Sequence, residues 1–140
     1  TGTRTVLFTD IVGSTSLTQR LGDDAAMTMV GVHDSIVRAA LAGENGREVK
    51  HTGDGIMAAF FSAASAIRCG IKVQEDLWQH RAGHPDLPLR VRVGIAAGEP
   101  IERHNDLFGS TVQLAARLRR SRGRRRARCR RHCSGDPCRQ

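Results

Sequence analysis

Two short runs hold the residue types from which a reaction could be built. Phe8-Thr9-Asp10-Ile11-Val12-Gly13-Ser14-Thr15 and Lys50-His51-Thr52-Gly53-Asp54-Gly55 each set one aspartate where an apolar stretch breaks into a turn. Paired carboxylates with no Cys or His ligand pattern beside them suit a hard divalent cation such as Mg2+ or Mn2+. The turn after Asp10 leads into a helix, an arrangement that suits the phosphate oxygens accompanying such a cation. Together these features point to nucleotide chemistry.

Those aspartates need elements that bring them together. Arg4 to Thr9 is short, β-branched and aromatic, and reads as a buried strand ending at Asp10. Ser14 or Thr15 is expected to cap a helix through Leu21. From Asp23 to Leu41, Ala26, Met29, Val30, Ile36, Val37, Ala40 and Leu41 recur at helical spacing, with Gly43 as a stop. His33 falls on that apolar face and reads as a packed histidine. Arg47 to His51 and Ile56 to Phe61 read as strands, joined by the tight Thr-Gly-Asp-Gly connection. Ser62 caps a second long helix, expected to turn Ala66, Ile67, Gly70, Ile71, Leu77 and Trp78 to one face, with Cys69 as a small packing residue.

His80 to Pro88 reads as a loop. Beyond it Leu89, Val91, Val93, Ile95 and Ala97 alternate with Arg90, Arg92, Gly94 and Ala96, a strand whose two arginines are expected to face solvent. A short extended piece around Ile101 and a helix from Gly109 to Leu118 follow. The order β-α-β-β-α-β is the split arrangement of ferredoxin-like α+β domains, an antiparallel sheet with helices on one face. There the first strand lies antiparallel beside the third, so its C-terminal end, Asp10, meets the residues that follow Asp54. The topology alone predicts that the two carboxylates converge.

Composition narrows the partners. The 140 residues carry a net charge of +8, but residues 1–118 hold 12 Lys and Arg against 13 Asp and Glu, while residues 119–140 hold 10 Arg and one Asp. The basicity belongs to the tail, so nucleic acid is not an expected partner of the folded part. Cysteine divides the same way, one thiol (Cys69) before the tail and three within it, which excludes a secreted disulfide scaffold. No apolar stretch approaches the length of a membrane span and no signal peptide is present, so a soluble, cytoplasmic setting is expected. The chain opens on Thr1 rather than Met and reads as an excerpt from a longer protein that could carry regulatory domains.

The tail, from Arg119 to Gln140, has almost no apolar residues and no periodicity, and is expected to be disordered. Three readings compete for it: a basic arm for nucleic acid or anionic membrane, a zinc site from Cys129, His132, Cys133 and Cys138, and a frameshifted terminus. The abrupt onset of arginine within a helix favours the third.

With these residues in place, residues 4–118 resemble a class III nucleotidyl cyclase catalytic domain of the bacterial adenylate cyclase type. The resemblance rests on Phe8-Thr9-Asp10-Ile11, on Lys50 before Gly53-Asp54-Gly55, and on the run Asp106-Leu107-Phe108-Gly109-Ser110-Thr111-Val112-Gln113-Leu114-Ala115-Ala116-Arg117. It implies that Asp10, Asp54 and the Ile11 carbonyl hold two Mg2+ or Mn2+ ions per site. Val12, Gly13, Ser14 and Thr15 would meet the β- and γ-phosphates of ATP through backbone N–H groups. Lys50 and Asp106 would read the base, and Arg117 would stabilise charge on the α-phosphate. Gln113 stands where the family usually has an asparagine that orients the ribose.

The resemblance further implies a homodimer with the active site between two catalytic domains, Asp10 and Asp54 from one, Lys50, Asp106 and Arg117 from the other. The family continues past the last helix into strands that nothing in residues 119–140 matches, so the C-terminal part is expected to be truncated or scrambled. The expected activity is conversion of ATP to 3',5'-cyclic AMP and pyrophosphate. The alternative is a catalytically silent relative that binds nucleotide or dimerises to regulate attached domains.

Overall fold

The computed structural model describes residues 2–119. The arginine-rich segment beyond them, with Cys129, His132, Cys133 and Cys138, lies outside the described residues, as do the three readings of it. The elements are β1 (Arg4–Ile11), α1 (Ser14–Leu21), α2 (Asp23–Gly43), β2 (Arg47–His51), β3 (Ile56–Phe60), α3 (Ala63–Gly83), β4 (Val91–Gly98), β5 (Ile101–Arg103), β6 (Asp106–Phe108) and α4 (Ser110–Leu118). Among them no helix is long and apolar enough to cross a membrane.

The main sheet has the order β2-β3-β1-β4, and β1 pairs antiparallel with both β3 and β4. This is the expected ferredoxin-like arrangement. A central strand has two covered faces, and accordingly all but the first residue of β1 are buried. Pairing with β4 continues through Asp10↔Arg92 and Ile11↔Val91, so β1 runs two residues further than the sequence pattern indicated. Asp10 sits inside the strand rather than in the turn.

On one face Leu7, Ile11, Ile56 and Phe60 meet Met29, Val37 and Leu41 of α2 and Cys69, Val73 and Leu77 of α3. Each such large side chain taken fully from water contributes about 1.5–3 kcal/mol. The two long helices therefore share a face, as expected, and Cys69 is the packing residue foreseen. Beyond that expectation, α4 and the β5–β6 hairpin cover the opposite face, where Val6, Phe8, Met57 and Ala96 lie against Leu107 and Ala115. A side chain on Gly94 would strike the Ala115 carbonyl, so glycine there permits the close approach of α4 to β4.

Several local expectations are corrected. Helix α1 has Gly13 at its N-cap (φ 67°) with no side-chain cap, because the Ser14 hydroxyl is used elsewhere. Ser62 does cap α3, its Oγ accepting from the Ser65 N–H at 3.2 Å. That helix continues to Gly83, taking in His80 and Arg81, since the first proline after it is only Pro85. On α3 Ala66, Gly70 and Leu77 are buried as expected, but Ile67, Ile71 and Trp78 are not. They form a second stripe beside β4, where with Gly70, Val93 and Ile95 they line an open groove of about 660 Å³. In β4, Arg92 is half-buried, Ala97 is exposed and Ala96 is buried, because α4 covers the face assigned to solvent.

His33 is fully buried, with Nε2 at 2.8 Å from Thr9 Oγ1 and Nδ1 at 2.8 Å from Asp34 Oδ1. Burial lowers its pKa below the ordinary 6.5, outweighing the neighbouring Asp34 carboxylate that raises it. The unfolded chain then takes up a proton first as the pH falls. The stability from neutral His33 is complete above pH 6.5 and declines as the pH drops through the lower folded value. Thermal unfolding followed by circular dichroism is expected to show Tm falling between pH 7.5 and 5.5, with a shallower slope in His33→Gln. Equal slopes in the two proteins would contradict this assignment.

Candidate active site

The strand pairing places the two acidic runs at one end of the sheet. The Ile11 N–H donates to the Asp54 carbonyl at 2.9 Å, which ties the end of β1 to the turn between β2 and β3. In an extended residue the N–H and C=O point to the same edge, so the Ile11 carbonyl also faces that turn. The turn is closed by Thr52 N–H donating to the Gly55 carbonyl at 2.9 Å. A side chain on Gly55 would collide with the Thr9 carbonyl, so only glycine allows the turn to lie this close to β1.

Asp10 is buried and accepts from Arg92 Nη2 at 2.8 Å. Asp54 is half-buried and its Oδ2 accepts from Ser14 Oγ at 3.1 Å. The Ser14 contact links the turn after β1 to the second aspartate. Asp10, Asp54 and the Ile11 carbonyl offer oxygen donors at this end of the sheet, a chemistry that fits a hard divalent cation and not a soft one. That Asp10 already holds a guanidinium in the same neighbourhood agrees with a place built for positive charge.

The turn Val12–Thr15 is only partly available to a phosphate. The Val12 N–H donates to the Arg90 carbonyl at 2.8 Å, so Val12 is removed from the expected donors. Gly13 is exposed at the start of α1, and Ser14 and Thr15 occupy its first turn, where N–H groups lack helical acceptors by position.

Arg92, assigned to solvent by its alternation with Val91 and Val93, is a functional candidate that the sequence reading missed. Its Nε is buried and has no acceptor, an unused donor beside Asp10 that an anionic oxygen would satisfy. The signal was available in principle, since antiparallel pairing of β1 with β4 sets Arg92 directly across from Asp10. A second cation, Arg119, lies over the Phe8 ring at 4.9 Å and donates to the Thr9 carbonyl at 3.4 Å. The folded part thus includes the residue that follows α4.

Lys50 and Asp106, far apart in sequence, meet: Lys50 Nζ donates to Asp106 Oδ2 at 2.9 Å. The contact forms because β6 packs beside β2. Asp106 Oδ1 also accepts from the Leu107 N–H at 2.8 Å. The Lys50 hydrogen bond is the main reason the Asp106 carboxyl titrates below its ordinary range.

Gln113 and Arg117 are both exposed on α4, whereas Thr111 and Ala115 face inward. At 100° per residue, positions two before and two after Ala115 lie on the far side of the helix. The fold therefore turns Gln113 and Arg117 away from the sheet that carries Asp10 of the same chain.

Comparison with known proteins shows which family this chain resembles. The family described as "Adenylate and Guanylate cyclase catalytic domain" matches residues 1–126. The serine/threonine-protein kinase pkn2 of Myxococcus xanthus is 31% identical over 111 residues, 79% of this chain and 13% of that protein. An adenylate cyclase of Streptomyces coelicolor is 33% identical over 111 residues, 79% of this chain and 28% of that protein. The chain spans less than a third of either relative. The solved adenylate/guanylate cyclase/hydrolase from Silicibacter pomeroyi superposes with a TM-score of 0.73 at 29% identity, covering 84% of this chain and 69% of that one.

The Lys50–Asp106 contact makes a direct prediction. In Lys50→Met the Asp106 carboxyl is expected to titrate closer to its ordinary 3.8, read by carbon-detected NMR of the side chain. An unchanged titration would mean that the two groups do not pair in solution.

Proposed function

The chain belongs to the adenylate and guanylate cyclase catalytic domain family, and from that premise we propose that it converts ATP to 3',5'-cyclic AMP and pyrophosphate as a homodimer. One observation carries the reading: Asp10 and Asp54 come from distant parts of the sequence to one end of the sheet, joined through the Ile11–Asp54 hydrogen bond. Residues 1–118 are read as the catalytic domain, 119–140 as an arginine-rich tail whose first residue still packs on Phe8, and cytoplasmic ATP as the substrate pool. The length of the relatives supports further domains in the complete protein.

Asp10, Asp54 and the Ile11 carbonyl would hold Mg2+ or Mn2+, two per site, which supply the Lewis acidity that activates the ribose 3'-hydroxyl and neutralises the triphosphate. Gly13, Ser14 and Thr15 bind phosphate oxygens through the first turn of α1. Arg92 Nε offers a further donor to the same anion. Attack on the α-phosphorus runs in line, so these residues act mainly by holding the 3'-oxygen and the phosphate in register.

Lys50 and Asp106 distinguish the base. Adenine presents an acceptor at N1 and a donor at its 6-amino group, which match an ammonium and a carboxylate. Guanine reverses both and would leave buried polar groups unmatched. ATP is therefore favoured over GTP. The orientation of α4 supports the dimer: Arg117 reaches the α-phosphate, and Gln113 the ribose, only if they come from a second copy of the chain.

Gln113 favours a second reading, a silent relative that binds nucleotide and dimerises. Its extra methylene shifts the amide by more than an ångström from the place an asparagine would reach, and misplacement of that order costs about a hundredfold in rate.

The test is to incubate the chain with Mn2+ and ATP and measure cyclic AMP by chromatography. Asp54→Ala is expected to abolish it, as is Arg117→Ala. Mixing the two dead variants is expected to restore roughly a quarter of the activity, because half of the dimers are mixed and each has one intact site. No recovery would remove the shared site, and tight ATP binding without turnover in the unaltered chain would favour the silent relative.

A further inference from the structure

A continuous hydrogen-bond chain runs from one end of the Gly53-Asp54-Gly55 turn to the other through two buried or half-buried histidines. It starts at the Ile56 N–H, which donates to Thr9 Oγ1 at 2.9 Å. Thr9 Oγ1 stands 2.8 Å from His33 Nε2, and His33 Nδ1 stands 2.8 Å from Asp34 Oδ1. The same carboxylate oxygen lies 3.0 Å from His51 Nε2. The chain ends where the Gly53 N–H donates to His51 Nδ1 at 2.9 Å.

The polarity of this chain follows from its Gly53 end, which can only donate, and from the Asp34 carboxylate, which can only accept. Gly53 requires a lone pair on His51 Nδ1, so His51 carries its proton on Nε2 and gives it to Asp34. Asp34 likewise takes the proton of His33 Nδ1, which leaves Nε2 to accept from the Thr9 hydroxyl; that hydroxyl also lies 3.5 Å from the Ile56 carbonyl. Every donor meets an acceptor. His33, Asp34 and His51 bring ligand atoms close enough together to resemble an ion site. The matched donors and acceptors instead describe a closed internal network.

We propose that His51 is a positioning residue for Asp54, clamping the Gly53 end of the turn through Nδ1 while Asp34 and His33 fix its ring from behind and Thr9 clamps the Ile56 end. This rests on the reading of Asp54 as a metal ligand. The Asp54 carbonyl is already held by Ile11 and Thr52 spans to Gly55, so the Gly53 N–H is the remaining hinge on the N-terminal side. An Asp54 carboxylate on a turn free to pivot there would meet an ion in many orientations, and the ordering cost would fall on binding.

The two ring nitrogens can be separated by substitution. Asn at position 51 keeps a side-chain acceptor at the Nδ1 position, and Gln keeps a donor at the Nε2 position. Phe keeps neither. Two readouts are compared in the unaltered chain and in H51N, H51Q and H51F: protection of the Gly53 amide by hydrogen exchange, and Mn2+ binding by loss of the free-ion paramagnetic resonance signal.

H51N is expected to keep both within a small factor of the unaltered chain. H51Q and H51F are expected to lose Gly53 protection and bind Mn2+ roughly tenfold more weakly, the consequence of one missing hydrogen bond. If H51Q binds as tightly as the unaltered chain, or H51N as weakly as H51F, the clamp is wrong while the metal reading stands. If the unaltered chain binds no Mn2+, the metal reading fails and the positioning role fails with it. If H51N and H51Q protect Gly53 equally, His51 does not hold the turn.

Discussion

The hydrogen bond from the Ile11 N–H to the Asp54 carbonyl, at 2.9 Å, is the constraint on which the arrangement of this molecule depends. It exists because β1 and β3 lie side by side and antiparallel, and because Gly55 has no side chain to hold the turn away from Thr9. From that contact follow the placement of Asp54 near Asp10, the reach of Ser14 Oγ to Asp54, and the closure of the histidine network around the turn. A single residue with a Cβ at position 55 would push all of these apart together.

Much of this was legible in the sequence because the signals were local. The Ser62 cap, the Thr-Gly-Asp-Gly hairpin and the period of α2 are written within a few residues of where they act. That residues 10 and 54 come to the same end of the sheet was legible because it depends on strand order alone. What could not be read depends on register and on helix rotation. Arg92 faces Asp10 only once the β1–β4 pairing is known. On α3, apolar residues occupy two adjacent stripes, and periodicity does not tell which one meets the sheet. The stripe of Ala66, Cys69, Val73 and Leu77 does, while Ile67, Ile71 and Trp78 remain exposed beside β4.

Each acidic group of the site already has a partner within the chain. Asp10 holds Arg92, Asp54 holds Ser14, and Asp106 holds Lys50. Of these the Lys50–Asp106 pair is the most exposed, and an ion pair of that kind contributes only about 0–1 kcal/mol. On the proposed function, a nucleotide with its cations would exchange these partners for its own, leaving the guanidinium and ammonium beside an anion or a base edge. The internal pairs are thus a form of preorganisation: they set rotamers before substrate arrives.

The placement of α4 bears on how the proposed site is assembled. Thr111 and Ala115 face inward, where Gly94 leaves room for the backbone at Ala115 and Gly98 for the Thr111 side chain. Positions 113 and 117, two residues to either side of Ala115, are then directed outward by helix geometry. No local adjustment of Arg117 changes this, since rotating the helix to bring it inward would expose Ala115 and drive larger side chains against Gly94. The same packing that completes the second face of the sheet therefore separates the arginine from the aspartates of its own chain. That separation is the structural support for reading the site as one shared between two copies.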